Sequence, residues 1–182
     1  MKEIILTQGK VALVDDDDFD RVSAYKWFAS FRKRGQAFYA RRTDETGKTV
    51  ELHRFIMRCQ KGRVVDHRNG DTLDCRKGNL RMATNIESLR NRGKQSNNKS
   101  GFKGVCVRRR RTKKGITVRW QANIDVNGKQ NRVGTFLSAI EAAVAHDAAA
   151  RELFGPFARL NFPKPGEIGA LKSIPNQTSP EA

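Results

Sequence analysis

Chemistry in this 182-residue chain concentrates at His53, at the adjacent pair Asp66-His67 and at Asn79. Val64 to His67 reads as a short strand running into an Asn69-Gly70 turn. Neighbouring strand side chains point to opposite faces, so Asp66 and His67 are placed for different jobs, one on a metal and one on water. Asn79 lies 13 residues beyond Asp66, past the turn and on a short helix that Asp74 would cap. A strand, a turn and a helix can fold that distance back onto Asp66. One carboxylate and one amide oxygen make a sparse, hard site suited to Mg²⁺ or Mn²⁺, which keep several waters and take up phosphate. A neutral imidazole, with a pKa of about 6.5, can serve as general base. Each residue also has a plain reading, Asn79 as a helix cap and His67 as an ordinary polar residue. Spacing by itself leaves both open.

The elements that must position these residues fall in two units. In residues 1–92, Lys10 to Asp15 reads as a short strand, and Ala37 to Arg42 and Lys48 to Leu52 flank a turn at Asp44 to Gly47. Thr84 and Glu87 form a capping box that opens a helix through Leu89. Residues 93–100 are polar and read as a linker. Residues 101–163 read as three antiparallel strands and one helix. Gly101 to Arg109 is the first strand. In the second, Ile116, Val118, Trp120, Ala122, Ile124 and Val126 fall on one face and Arg119, Gln121, Asn123 and Asp125 on the other. Asn127-Gly128 is the preferred pair for a two-residue hairpin turn, leading into a third strand from Lys129 to Phe136. Ser138 with Glu141 caps a helix over Ala139 to Phe154 that ends at Gly155. Ile140, Ala143, Val144, Ala148 and Phe154 would form its inner face, while His146 would be structural. Residues 164–182 read as a flexible tail.

Charge narrows the partner. The chain carries a formal net charge of +17, from 36 basic against 19 acidic residues. From Arg81 to Arg119 there are 13 basic residues and one acid, Glu87, whereas the N-terminal part is nearly balanced, with an acidic run at Asp15 to Asp18. A concentrated basic block is the footprint of phosphate binding and excludes an ordinary enzyme of a neutral metabolite. No apolar run approaches the roughly 20 residues of a spanning helix, so no membrane is expected. Cys59, Cys75 and Cys106 form no CxxC pair and suit buried, reduced thiols in an intracellular chain.

His53-Arg54, Val65-Asp66-His67-Arg68-Asn69-Gly70-Asp71, Leu73-Asp74 and Asn79-Leu80-Arg81 together resemble the HNH endonuclease signature, in the form found in phage and intron homing endonucleases. Thr7-Gln8-Gly9-Lys10 to Trp27 is also similar to N-termini found on these nucleases. Ser100-Gly101-Phe102-Lys103-Gly104-Val105, Trp120-Gln121-Ala122, Gly134-Thr135-Phe136, the helix from Glu141 through Asp147 to Ala149, and Leu160-Asn161-Phe162-Pro163 resemble an AP2 DNA-binding domain. The resemblance implies an α+β chain. Its first part would be a ββα-metal (His-Me finger) nuclease domain over 1–92, with its core motif at 52–82. Its second part would be an AP2 domain of three strands and one helix.

By that resemblance Asp66 and Asn79 hold Mg²⁺ or Mn²⁺, His67 activates water, and the products carry 5′-phosphate and 3′-hydroxyl ends. Asp74 stands nearest the middle Asn of the signature, as a loop brace. His53 is an auxiliary, structural residue, and Arg54 and Arg81 are phosphate contacts. The AP2 sheet would read duplex DNA through Lys103, Arg108, Arg109, Arg119, Gln121, Asn123 and Arg132. Cys106 stands where an arginine is usual in plant relatives, Asn123 and Asp125 replace a glutamate and an arginine, and Arg132 replaces a tryptophan. The fold carries over and the base preference does not. The expected protein is a phage- or mobile-element-encoded, site-specific endonuclease, monomeric in solution and acting in the cytoplasm of a bacterial host. The alternatives are a non-catalytic AP2-type regulator with a decayed nuclease fold and an RNA-binding protein. The latter is disfavoured because the sheet offers few exposed aromatics for stacking.

Overall fold

A computed structural model of the chain describes residues 1–33, 35–95, 97–113 and 115–169. It divides into two compact units, Met1–Leu89 and a second that begins at Arg90. Lys114 of the basic block, and the expected tail from 170 onward, lie outside the described residues.

In the first unit, β1 (Lys2–Ile5) and β2 (Val11–Val14) form an antiparallel pair in which Ile4 faces Ala12. Their alternation sends Ile4, Ala12 and Val14 into the core. The acidic run becomes the start of helix α1 (Asp16–Ser23), where Asp16, Asp17 and Asp18 meet the positive end of the helix dipole. Next, β3 (Phe28–Arg32), β4 (Ala37–Thr43) and β5 (Thr49–Glu51) make a three-stranded antiparallel sheet in that order. Helix α2 (Leu52–Ile56) follows β5 directly and buries Leu52, His53 and Ile56. Strand β6 (Val64–His67) pairs antiparallel with β7 (Leu80–Ala83), and helix α3 (Asn85–Arg90) comes next. Thr84 and Glu87 exchange the two hydrogen bonds of a capping box at its start. Val14, Val22, Trp27, Ala40, Leu52, Ile56, Val65 and Leu80 share one core.

The helix expected from Asp74 through Asn79 to Arg81 is absent, because Leu80 and Arg81 belong to β7. Residues 68–79 form a loop instead. Its backbone is satisfied by side chains and by β2, to which Cys75 N–H donates at Leu13 O, 2.9 Å. One i to i−4 bond forms, Leu80 N–H to Arg76 O at 3.0 Å, and it closes a single turn that does not extend into a helix.

In the second unit, β8 (Val105–Thr112), β9 (Gly115–Val126) and β10 (Lys129–Phe136) form a sheet with β9 in the centre. Asn127 and Gly128 both take positive φ, +54° and +79°, as the two-residue turn requires. A bulge interrupts β10 between Arg132 and Gly134. Helix α4 (Ala139–Phe154) is capped by Ser138 Oγ, which accepts the Glu141 N–H at 3.1 Å.

Two expected faces change. Ile140 and Val144 are each 53% exposed, and the helix buries Ala142, Ala143, His146, Asp147, Ala150 and Phe154 instead. The helix lies so close to the sheet that a Cβ on Gly104 would stand 1.9 Å from the His146 ring and 2.8 Å from Asn123 O. Beside His146 the gap admits the small Ala142 and Ala143, and Ile140 and Val144 turn outward. On β9, Ala122 and Ile124 are buried, but Ile116 (69% exposed) and Val118 are not, because α4 does not cover that end of the hairpin.

The expected tail is held over its described part. Strand β12 (Ile168–Gly169) pairs in parallel with β11 (Arg159–Leu160), and Glu167 takes two bonds from Arg151 at 2.8 and 2.9 Å. Among the described residues no helix is long and apolar enough to cross a membrane.

Candidate functional site

Asp66 and His67 end β6, opposite Arg81 and Leu80 of β7. Asp66 and Arg81 therefore stand on the same face of adjacent strands, and their side chains meet. Arg81 Nε and Nη2 both donate to Asp66 Oδ2, at 2.9 and 2.7 Å. Both side chains are nearly buried. The other carboxylate oxygen, Oδ1, lies 3.3 Å from Ser88 Oγ on α3. Arg81, expected at a phosphate, is thus bound to Asp66. Ser88 was missed in the sequence. The signal was there: its place one residue after the capping-box Glu87 fixes it on the first turns of α3.

Asn79 does not join this pair. Its side-chain oxygen accepts the Asn69 N–H at 2.9 Å, and its amide nitrogen donates to Asp74 O at 2.8 Å. Its backbone carbonyl takes the Arg68 N–H at 2.8 Å. Both ends of the carboxamide therefore tie the two sides of the loop 68–79 together. Asp74 works in the same loop. Its carboxylate accepts from Asn69 Nδ2 at 3.0 Å and from Arg76 Nε and Nη2, each at 2.7 Å. The Arg76 guanidinium holds that carboxyl below its ordinary value.

His67 is 6% exposed and His53 5%. Their rings meet edge to face, with centroids 4.8 Å apart and planes at 64°. Tyr39 of β4 completes the cluster, its ring 5.8 Å from His53 and 6.3 Å from His67. Burial, reinforced by the neighbouring His53, pushes the His67 imidazole down to about 3. It is therefore neutral near pH 7, the form that can take up a proton. His53 Nε2 lies 3.4 Å from Glu51 Oε2. Glu51 also accepts from Arg41 Nη2 at 2.9 Å and from Arg32 Nη2. The His53 hydrogen bond, with help from Arg41 and Arg32, pushes the Glu51 carboxyl down to about 2. Arg54 turns away, with Nη1 3.3 Å from Arg63 O.

In the second unit, strand register sorts the expected DNA contacts. Arg108 lies opposite Arg119, Cys106 opposite Gln121, and Arg132 opposite Asn123, so these six share a face. Two arginines directly opposite each other repel, and an anion relieves that cost. Arg108 Nε donates to Gln121 Oε1 at 2.8 Å, and Gln121 Nε2 donates to Asn123 Oδ1 at 2.7 Å. Three expected contacts need correcting. Arg109 pairs with Val118 and so falls on the helix-bearing face. Asn123 is buried, with Nδ2 3.3 Å from Cys106 Sγ. Lys103 is partly buried and donates from Nζ to Arg90 O at 2.7 Å. Burial pushes the Lys103 ammonium down to about 8.

Residues 53–90, which hold Asp66, His67, Asn79, Arg81 and Ser88, match the family model described as HNH endonuclease. A curated protein of Acanthamoeba polyphaga mimivirus, described as uncharacterized HNH endonuclease L560, is 29% identical over 160 residues, covering 85% of this chain and 76% of that one. Dehydration-responsive element-binding protein 2A of Arabidopsis thaliana is 38% identical over 78 residues, 42% of this chain and 21% of that protein. Ethylene-responsive transcription factor ERF069 of the same plant is 36% identical over 113 residues, 59% of this chain and 65% of that protein. The chain is thus similar to an HNH endonuclease domain over residues 53–90 and to plant AP2/ERF-type proteins over part of its length. It spans only about a fifth of the first plant relative's length. No solved structure matches at a significant level. In the chain's mixed α+β fold, helix α4 packs on the three-stranded sheet β8–β9–β10.

The donors around Asp66 suit a divalent cation in kind. They are hard oxygens, one carboxylate and one hydroxyl, with phosphate and water left to complete the shell. Among the described residues no group of three or more His, Cys, Asp or Glu is arranged to hold a metal by itself.

Proposed function

We propose that this chain is a divalent-cation-dependent endonuclease on duplex DNA, built on a ββα-metal unit of β6, β7 and α3. The observation that carries the proposal is the pair Asp66-His67 at the end of β6, with Asp66 facing Ser88 of α3. His67, neutral and held between His53 and Tyr39, takes the proton from the attacking water. An incoming phosphate raises its basicity by adding negative charge beside it. Asp66 and Ser88 would hold Mg²⁺ or Mn²⁺, which when bound polarises the scissile phosphate and stabilises the leaving 3′ oxygen. Asn79 and Asp74 fix the loop so that the end of β6 stays in place. Arg81 steadies Asp66 through Oδ2, and Oδ1, beside Ser88, would face the cation.

Affinity and address come from the second unit. Arg108, Arg119 and Arg132 lie on one face, with Gln121 beside Arg108 on that face, in the manner of β-sheet readers of the major groove. The chain acts as a monomer, cutting by nicking or by a double-strand break. A phage or mobile-element origin, a homing role and action in a bacterial cytoplasm belong to the same reading.

The test is plasmid nicking with Mg²⁺ by the wild type and by His67→Ala. Loss of cutting in the variant supports the reading, and equal cutting overturns the role of His67. A second reading, a duplex-binding regulator without nuclease activity, is favoured by the Arg81 guanidinium on Asp66. Duplex binding with no metal-dependent nicking by the wild type would establish it.

A further inference from the structure

The buried polar cluster beside His67 is larger than a base and its support require. His53 sits on α2 between Leu52 and Ile56, both core residues. A leucine would wall that space without the cost of burying an imidazole. The imidazole is instead aimed: one nitrogen lies 3.4 Å from Glu51 Oε2, and the ring edge meets His67 at 4.8 Å between centroids. Glu51 is itself fixed from two sides by Arg41 of β4 and Arg32 of β3. Arg32 also stacks over Tyr39, 4.8 Å from its centroid, and Tyr39 touches both histidines. The chain of contacts runs Arg41–Glu51–His53–His67. Its first three members lie on the sheet β3–β4–β5 and on α2, outside the hairpin that carries Asp66 and His67.

We infer that His53 is a positioning residue for His67, and that Glu51 aims it. Held by Glu51, the His53 ring restricts rotation of the His67 imidazole and keeps its reactive nitrogen directed at one place. A misplaced general base loses rate without losing substrate, because the DNA-binding face lies elsewhere in the chain. Ångström-scale misplacement costs up to about a hundredfold in rate. The sheet β3–β4–β5 then has a functional reason to exist: it is the anchor of the general base. This inference rests on the nuclease reading above for its kinetic arm but not for its spectroscopic one.

The experiment uses the full chain and four variants: His53→Ala, His53→Phe, Glu51→Ala and Glu51→Gln. The chain has three histidines, so the ring signals of His53, His67 and His146 are readily assigned by NMR. Without DNA or metal, His53→Ala and Glu51→Ala should shift the His67 ring signals and leave those of His146, in the second unit, in place. With plasmid and Mg²⁺, His53→Ala should lower kcat on the order of tenfold to a hundredfold with KM for DNA unchanged. His53→Phe, which keeps a ring, and Glu51→Gln, which keeps an acceptor, should each recover part of the loss. Unmoved His67 signals together with wild-type turnover in His53→Ala and Glu51→Ala would overturn the inference. So would a rise in KM with kcat unchanged. Absence of cutting by the wild type would sink the nuclease reading alone, and the His67 signals would still decide whether His53 sets its ring.

Discussion

Replacing Arg81 by Met tests the centre of the site most directly. In the wild type the guanidinium makes two bonds to Asp66 Oδ2, at 2.9 and 2.7 Å, and both side chains are nearly out of water. Methionine keeps much of the stem and removes the charge. It leaves a buried carboxylate beside Ser88 Oγ, 3.3 Å away, a long hydrogen bond. Two charge-assisted bonds at about 1.5 kcal/mol each give a loss of about 3 kcal/mol. Breaking a buried ion pair from one side costs about the same, 3 to 5 kcal/mol. The loss can be read from urea unfolding followed by Trp27, which is buried in the first unit. With an m-value of about 2 kcal/mol per molar, the midpoint should fall by roughly 1.5 M. Mg²⁺ then provides the second reading. Its stabilisation follows RT ln(1 + [L]/Kd), about 2.7 kcal/mol at a hundredfold excess over Kd. In the wild type the guanidinium repels the ion and competes with it for the Asp66 carboxylate, and in the variant it does not, so the variant should gain more. Asp66→Asn in the Arg81→Met background removes both charges and should recover most of the midpoint without the Mg²⁺ response. An unchanged midpoint in Arg81→Met, with equal Mg²⁺ gains in both proteins, would refute this account.

Gly104→Ala should destabilise the second unit by about 2 to 4 kcal/mol, seen in Trp120 fluorescence. Its φ of +74° is strained for alanine, and the new methyl meets the His146 ring and Asn123 O. Ile140→Ser should change stability by less than about 0.5 kcal/mol, whereas Ala143→Leu should cost about 2 kcal/mol by overpacking the helix–sheet gap, as calorimetry would show. Acid should weaken the first unit. His67 stays neutral in the fold down to about 3, while the unfolded chain takes up that proton below about 6.5, so stability falls with pH across that window by up to about 1.4 kcal/mol per unit. Glu51, pushed down to about 2, adds loss of the same sign below about 4.5. Urea midpoints between pH 7 and 4 check this, and a flat profile would contradict it. Arg108→Ala should weaken duplex binding and lower the salt slope by about 1, while Arg109→Ala, on the other face, should change both less.

Elements written in local chemistry were legible without a structure. The hairpin at Asn127-Gly128, the capping boxes at Ser138/Glu141 and Thr84/Glu87, and the strand carrying Asp66 and His67 all form as their own residues dictate. Such signals need only neighbours a few positions apart. The concentration of basic residues was likewise legible, because charge counts need no geometry.

What escaped the sequence depended on distance and register. Residues 74–79 carry a plausible cap, yet β2 and the Asx side chains claim their backbone, and Leu80–Ala83 is drawn into β7. That pairing put Arg81 rather than Asn79 on Asp66 and brought Ser88 beside it. Helical spacing allowed either face of α4 to be inner, and a gap set by Gly104 and His146 chose the alanines. Alternation along β8 split Arg108 from Arg109 once pairing with β9 was known. Composition and local motifs determined that this chain holds an adjacent Asp-His pair and a basic sheet. Only tertiary pairing decided which side chains share an ångström-scale neighbourhood, because that depends on residues far apart in the chain whose contact no local propensity encodes.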